Sequence, residues 1–309
     1  MTVARDLAEF LTGTSSTDLP GQAVEHAAML IASTLASAAM GAGLGSSAII
    51  RDLSSERGGT SEASVWFDSG PKLPVSDAAR VNAVMSDAAA SDDSDLRNIV
   101  HAGTTLVASA LAIAERTGAS GEEVLTAIVL GYEAAGRIGE AITPAFRSRG
   151  FHGCLVAIFA GAVAAGRLLQ LDPTRMAQAI ALSATSIGGL MTAANTSVAR
   201  EYHAGLATML GIQAALAAQR GYRAAESILE ARQGFFEVYG GIEGALGGTS
   251  VTHDLGQSWD IITDMAIKLV PGGHPYHALP RPLRTRRERG ILRPRMSRAS
   301  LCHAPVSPR

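Results

Sequence analysis

The chain has 309 residues, of which 47% are hydrophobic and 17% charged, and its formal net charge is −2 at pH 7. The length is enough to bury a large core, and few aromatic residues beside much Ala, Leu, Ile, Val and Gly favour packed helices over a β-sandwich. The two cysteines, Cys154 and Cys302, argue against a disulfide framework and against an iron–sulfur cluster, which takes about four ligands.

The first residues of the chain are not typical of a signal peptide. Residues 1–11 lack the basic and apolar regions of a signal peptide. Residues 27–50 are uncharged, but Ser, Thr and Gly interrupt the apolar run, which favours a buried helix and a Gly/Ser turn over a membrane span. We therefore expect a cytoplasmic protein without a membrane partner.

Helical periodicity dominates the first three quarters of the chain. Ser120 and Glu123 form a capping box at the start of one predicted helix. Residues 63–74 predict a short hairpin or an extended arm, residues 234–260 are Gly-rich and read as irregular, and residues 265–273 predict a strand that ends in a turn. The predicted helices cover residues 2–12, 20–42, 46–56, 75–89, 104–117, 120–141, 153–169, 173–194 and 202–219.

Three histidines, His101, His152 and His203, stand 51 residues apart, and each opens an apolar helical segment. The first turn of a helix has unpaired N–H groups and the positive end of the helix dipole, so it attracts anions. Three such starts that converge would bind a small molecule with several carboxylates. The spacing also admits a helical-repeat solenoid; the alternative is that similar helix starts line one cavity.

Two acidic residues, Asp92 and Asp93, precede His101 by nine and eight residues, across a polar segment. A carboxylate beside a histidine orients the ring and raises its basicity, as a general base requires. The alternative is that these acids only cap the helix that follows.

Cationic residues precede the other two helices. Arg147, Arg149 and His152 come just before a helix so apolar that it must be buried, and Arg200 stands three residues before His203. Guanidinium groups at a buried helix start favour carboxylate binding, although arginines of a solvated loop would give the same pattern.

Lys268 is one of two lysines in a chain that otherwise uses arginine, and it follows an apolar strand. A lysine can lose its proton where an arginine cannot, so its use here favours acid–base chemistry. His274, Tyr276 and His277 come shortly after it. None of these histidines has a partner ligand at i,i+4 on a helix, so we expect no metal site.

Six stretches occur in a fixed order within residues 1–279: SDDSDLRNIVHAG, GYEAAGRIGEAI, RGFHG, AREYHAG, ARQGFFEVYGG and IKLVPGGHPYHAL. Together they resemble the MmgE/PrpD family, which includes 2-methylcitrate dehydratase, cis-aconitate decarboxylase and iminodisuccinate epimerase. The resemblance implies a mainly α fold, with a large all-helical domain and a small α/β lid domain. It also implies a homodimer that acts on small di- and tricarboxylates without a metal or other cofactor.

The resemblance further implies an active site where the histidine-bearing helix starts meet a lysine from the strand region. Two departures leave the substrate open. Ala90 and Ser91 stand where the family often has Asp-Phe, and Arg200 replaces a common lysine. Carried over by position, the site would contain Asp93, Ser94, His101, His152, Arg200, Lys268 and the region of His274.

The chain leaves the family pattern after Leu279, and residues 280–309 hold nine arginines and one acidic residue. We expect residues 1–260 to form the helical domain and 261–279 the first strand region of the lid. Residues 280–309 are expected to be a disordered basic tail produced by a frameshift near residue 280, so that most of the lid is missing. A genuine tail that binds nucleic acid is the alternative; its lack of aromatic residues disfavours that partner.

The sequence thus predicts a lyase that acts on a small polycarboxylate by proton abstraction, of the type of 2-methylcitrate dehydratase in propionate metabolism. His101 or Lys268 would transfer the proton, with Asp93 and His152 as further catalytic candidates. The alternatives are cis-aconitate decarboxylation, epimerisation, or a truncated helical remnant that only dimerises or binds ligand, and we expect weak turnover at most. The predicted substrate-binding residues are Ser94, Arg149, Arg200, His203 and His274.

Overall fold

A computed structural model describes residues 2–186, 188–268 and 270–272. These residues form thirteen α-helices and one two-stranded sheet, which confirms the predicted mainly α fold. The strands are β1 (Asp93–Asp95) and β2 (Met265–Ile267). The helices are α1 (Val3–Gly13), α2 (Gly21–Gly41), α3 (Gly45–Arg57), α4 (Val75–Ala88), α5 (Gly103–Thr117), α6 (Gly121–Ile142), α7 (Ala145–Ser148), α8 (Cys154–Leu168), α9 (Pro173–Ala184), α10 (Met191–Thr196), α11 (Ala199–Gln219), α12 (Phe235–Gly247) and α13 (Asp260–Thr263).

Helix α8 forms the centre of the core and packs against α5, α6, α9 and α11. Its large side chains Leu155, Ile158 and Phe159 are completely buried, as its uninterrupted apolar sequence predicts. Each such side chain contributes roughly 1.5–3 kcal/mol when it leaves water. The position of α8 is therefore strongly determined, and with it the position of His152, which lies just before the helix.

Among the described helices, only α2 is long and apolar enough to cross a membrane. Of its most apolar window, 33% is buried within the protein. Ala23, Ala27 and Leu30 are buried residues of this helix, and it packs against α4 and α6. Helices in the cores of soluble proteins share this length and composition.

The prediction of one continuous helix over residues 173–194 is wrong. Helix α9 ends at Ala184, and α10 is a separate short helix. Between them the backbone pairs with the loop before α8, where the His152 N–H donates to the Gly189 carbonyl at 2.8 Å. This tertiary hydrogen bond competes with the helical ones that the local sequence favours.

Residues 234–260 are also more regular than the sequence predicts, since they contain helices α12 and the start of α13. Phe235 and Phe236 are buried, and Phe235 meets Phe159 edge-on with 5.1 Å between the ring centroids. Burial of these rings outweighs the low helix propensity of the surrounding glycines. The helical geometry still breaks inside α12, at Gly241, where φ is +67°.

The hairpin alternative for residues 63–74 is confirmed. Ala63 and Leu73 form one antiparallel bridge, with N–H···O distances of 3.0 and 2.9 Å. The backbone N–H and the hydroxyl of Ser64 both donate to Glu115, at 2.7 Å each. The hairpin is thereby joined to α5.

Strand β2 confirms the start of the predicted strand at residues 265–273. It pairs antiparallel with β1, with Asp93 opposite Ile267 and Ser94 opposite Ala266. When this register is extended by one residue, Asp92 comes opposite Lys268. The small sheet therefore joins two chain segments that are about 175 residues apart and determines which side chains meet.

Met1–Pro271 groups as one compact unit. A second unit, Gly272–Arg309, lies outside the described residues except for Gly272. The predicted basic tail at residues 280–309 is therefore not described. The predicted domain boundaries after residues 260 and 279 stay predictions.

The segment that leads to β2 is anchored on α6 by a buried network of charges. Glu133 accepts hydrogen bonds from the Asp260 N–H at 2.9 Å and from Arg137 Nε at 2.5 Å, and Arg137 also donates to the His253 carbonyl at 2.6 Å. Burial, reinforced by the charge of Glu133, raises the pKa of Asp260 to about 8. Arg97 lies 3.5 Å from Asp260 and adds a positive charge.

Gly136 makes this anchoring possible, because a Cβ there would lie 1.9 Å from Asp260 Oδ2. We predict that Gly136→Ala lowers the free energy of unfolding by about 1–3 kcal/mol, as overpacking of a core does. Urea unfolding followed by circular dichroism measures the change.

The matched control is Gly121→Ala in the first turn of the same helix, where an added Cβ meets nothing within 4 Å. Its free energy of unfolding should stay within about 0.5 kcal/mol of the parent. Equal stability of both variants would contradict the steric argument.

Candidate active site

The three evenly spaced histidines lie at or near helix starts. His101 and His152 each precede a helix, α5 and α8, by two residues, whereas His203 lies in the second turn of α11. The rings of His152 and His203 are in contact, with 5.1 Å between their centroids. His101 lies near enough to His152 for the two rings to interact electrostatically. The structure therefore brings the three predicted residues into one region.

Asp92 is the centre of this region. Its side chain is 1% exposed, and its two oxygens meet different partners. Lys268 Nζ donates to Oδ1 at 3.0 Å, and His101 Nδ1 lies 3.0 Å from Oδ2. Burial favours the protonated carboxyl, but the interaction with the His101 ring and the positive charges of Lys268 and Arg200 outweigh it and lower the pKa of Asp92. The carboxylate is thus ionised, accepts a hydrogen bond from Lys268 and lies beside the His101 ring.

The surroundings of His101 determine which of its ring nitrogens carries the proton. Nδ1 lies 2.6 Å from the Asp93 carbonyl oxygen, which can only accept a hydrogen bond, and 3.0 Å from the Asp92 carboxylate. Nδ1 is therefore protonated and Nε2 carries a lone pair. Burial lowers the pKa of His101 to about 4, although the charge of Asp92 opposes this. At neutral pH the ring is a neutral base.

Asp93, the neighbouring acid, has a different environment. Both its oxygens accept the Gly103 N–H at 3.0 Å, at the start of α5, and Oδ2 also accepts the Tyr132 hydroxyl at 2.8 Å. Burial, and then the charge of Asp92, raise the pKa of Asp93 to about 7. Its side chain serves as the helix cap that was the alternative interpretation of the acidic pair. Its role in catalysis stays a prediction.

Two further predicted site residues, Ser94 and Arg200, lie in β1 and in α11. Ser94 is buried in β1, opposite Ala266. Arg200 pairs with buried Asp87 at the end of α4, with 2.8 Å between Nε and Oδ2. Burial raises the pKa of Asp87 to about 6, although the charge of Arg200 opposes this. The sequence analysis did not identify Asp87, whose only signal is its position five residues before Asp92.

Arg149 lies apart from these groups. It is exposed, and its Nη1 donates to the backbone carbonyl oxygen of Val238 in α12. Arg147, its neighbour, donates to the Ile99 carbonyl at 2.7 Å. The side chains of both arginines thus bind backbone carbonyls, and carboxylate binding by Arg149 stays a prediction. His274 lies outside the described residues.

The arrangement has the groups that proton abstraction beside a carboxylate requires. A neutral imidazole is a group that can accept such a proton, and the Asp93 carbonyl and the Asp92 carboxylate both lie beside its Nδ1. Lys268 and Arg200 bring positive charge to the region. Such charges stabilise the negative charge that develops when a carbon next to a carboxylate loses its proton.

Comparison with known proteins gives a consistent result. A family profile described as the MmgE/PrpD N-terminal domain matches residues 5–245. A cis-aconitate decarboxylase from Aspergillus terreus is 28% identical over 243 residues, which are 76% of this chain and 49% of that protein. A cis-aconitate decarboxylase-like protein from Aspergillus oryzae is 29% identical over 205 residues, 62% of this chain and 42% of its own. The chain spans about half the length of these curated relatives.

The environment of Asp93 predicts a specific pH dependence of stability. Its folded pKa of about 7 lies above the unfolded value of about 3.9, so its stabilising effect is complete below pH 3.9 and is lost as pH rises through about 7. We predict that Asp93→Asn removes roughly 2–3 kcal/mol of the stability change between pH 5 and pH 8.

Urea unfolding of the parent and the variant at both pH values measures this difference. Other buried groups titrate in both proteins and cancel in the comparison. An identical pH dependence in the two proteins would show that Asp93 is ionised throughout this range.

Proposed function

The chain belongs to the MmgE/PrpD family, and we propose that it is a lyase that abstracts a proton from a small di- or tricarboxylate. One observation carries the proposal: buried Asp92 holds Lys268 and His101 within 3.0 Å of its two oxygens. The comparison supports it, since the relatives are described as cis-aconitate decarboxylases. Their similarity extends to this chain at the level of the family.

We propose His101 as the general base. Nε2 takes a proton from the carbon next to a substrate carboxylate, and the electron pair left on carbon forms a double bond as the neighbouring hydroxyl leaves. Lys268 gives the leaving group the proton that makes it water. Asp92 contacts both residues, so the proton gained by His101 can return to Lys268 through it, and the enzyme regains its first state.

The substrate carboxylates would bind to the remaining cationic and histidine groups. Arg200 and Lys268 provide positive charge, while burial lowers the pKa of His152 to about 3 and also lowers that of His203. These two rings are therefore neutral at pH 7 and bind as N–H donors. A carboxylate bound between positive charge and N–H donors has its negative charge stabilised without an added proton.

Within this class we propose dehydration of a substrate like 2-methylcitrate, and the relatives favour a second candidate, decarboxylation of cis-aconitate. In decarboxylation, loss of carbon dioxide leaves an electron pair on carbon, and a protonated group then supplies a proton to that carbon. The same residues act in both reactions, with the proton moving in opposite directions. A homodimer and a cytoplasmic location stay predictions.

The proposal predicts that the purified 309-residue protein labilises a substrate proton. Incubated in deuterium oxide with 2-methylcitrate, it should exchange the hydrogen next to a carboxylate, as measured by proton nuclear magnetic resonance. The unsaturated product should accumulate in the same spectra. With cis-aconitate, release of carbon dioxide tests the second candidate. A folded protein that produces no exchange and no product with either acid would overturn the proposed function.

The mechanism also predicts how two variants behave. His101→Gln should lower kcat about 10²–10⁴-fold, the usual contribution of a general base, while KM changes little. Asp92→Asn should also lower kcat more than KM, because it misplaces the base and Lys268 without removing either. Initial rates over a substrate series measure both constants.

His253→Gln is the matched control, since this side chain is 85% exposed and lies outside the site. It should keep the parent kcat and KM. A His101→Gln variant with parental kcat would rule out His101 as the base.

A further inference from the structure

His152, Cys154 and His203 form a cluster that the proposed reaction does not fully use. His152 and Cys154 lie at the start of α8, and His203 comes from α11. Each offers one atom that can ligate a metal, and these atoms all lie within 4.8 Å of one another. Imidazole nitrogen and thiolate sulfur are the ligands that zinc and similar ions prefer.

The lone pairs of the two rings are placed for such a role. His152 Nδ1 accepts the Cys154 N–H in a long hydrogen bond of 3.3 Å, so its lone pair points toward Cys154 and a cation would replace this weak donor. His203 Nδ1 is buried, and no group in the described part of the chain forms a hydrogen bond with it. A buried nitrogen without a partner is costly, and a bound cation would satisfy it.

Gly189 has no side chain to fill the space beside Cys154 and His203. A Cβ added to it would lie 2.5 Å from Cys154 Sγ and 3.1 Å from His203 Nδ1. The sulfur and the nitrogen therefore face the same small volume beside the Gly189 backbone. Any larger residue at this position would fill that volume.

We propose that His152, Cys154 and His203 bind a thiophilic divalent cation, with zinc as the best match. In a tetrahedral zinc site such ligand atoms are roughly 3.3–3.6 Å apart. The three residues need to approach by about 1 Å, which side-chain rotation supplies. The fourth position stays open for water or a carboxylate.

The protonation states fit this site. Both imidazoles are neutral at pH 7, as metal ligands must be. Burial raises the pKa of the Cys154 thiol to about 12, so the cation has to displace its proton, as it does at other thiolate sites. Asp87 contributes negative charge near Cys154, although Arg200 offsets part of it.

The sequence predicts no metal site, because its histidines have no ligand partners spaced i,i+4 on one helix. Here two ligands are two residues apart at a helix start, and the third comes from a packed neighbour. The cation site shares His152 and His203 with the proposed carboxylate-binding groups, but its test measures binding of the cation alone, so failure of either proposal is recognised separately.

Cobalt(II) tests the site, because cobalt bound by a thiolate gives a charge-transfer absorption band in the near ultraviolet. We expect cobalt to produce this band with the full chain and zinc to abolish it by displacement. Cys154→Ser should lose the band. Cys302→Ser, which changes the only other cysteine of the chain, should keep it.

Gly189→Ala is a second variant that keeps all three ligands but fills the volume between them. It should weaken cobalt binding at least 10-fold, while circular dichroism confirms that each variant is folded. Absence of the band in the parent, or its retention in folded Cys154→Ser, would overturn the proposal.

Discussion

The ion pair between Asp92 and Lys268 is the interaction on which the candidate site depends. Both side chains are removed from water, and a buried charge is tolerated only when a partner is held close to it. The cost of separating the pair is several kcal/mol. The chain segment after residue 260 is therefore bound to the helical body at the point where His101 meets the same carboxylate.

The need to hold Lys268 beside Asp92 explains the role of the polar network on α6. Glu133, Arg137 and Asp260 are buried polar side chains, and they anchor the turn that leads into β2. Three residues of strand pairing would not hold Lys268 in place without this support. The network positions β2. The pairing of β2 with β1 sets the register that brings Lys268 opposite Asp92.

The adjacent residues Asp92 and Asp93 show what a local sequence pattern cannot predict. The pattern identifies Asp92 and Asp93 as a pair near His101, and the structure places Asp92 beside the His101 ring and Asp93 at the start of α5. Successive side chains of an extended segment point to opposite sides. Asp92 therefore faces Lys268 while Asp93 caps α5. Which residue faces which way depends on the partner strand, whose register no local pattern encodes.

The sequence by itself determined most of the long helices, because apolar periodicity and caps are local, and it identified the histidines, Arg200 and Lys268 as chemically unusual in their positions. Only the tertiary structure decided their partners. Asp87 beside Arg200, and His203 beside Cys154, come from helices that meet through packing of the core around α8. Another long-range contact, the backbone hydrogen bond from His152 to Gly189, accompanies the end of α9 at Ala184, where periodicity alone continues the helix. Burial then decided the charges, because it lowers the pKa of His101 and raises that of Asp93.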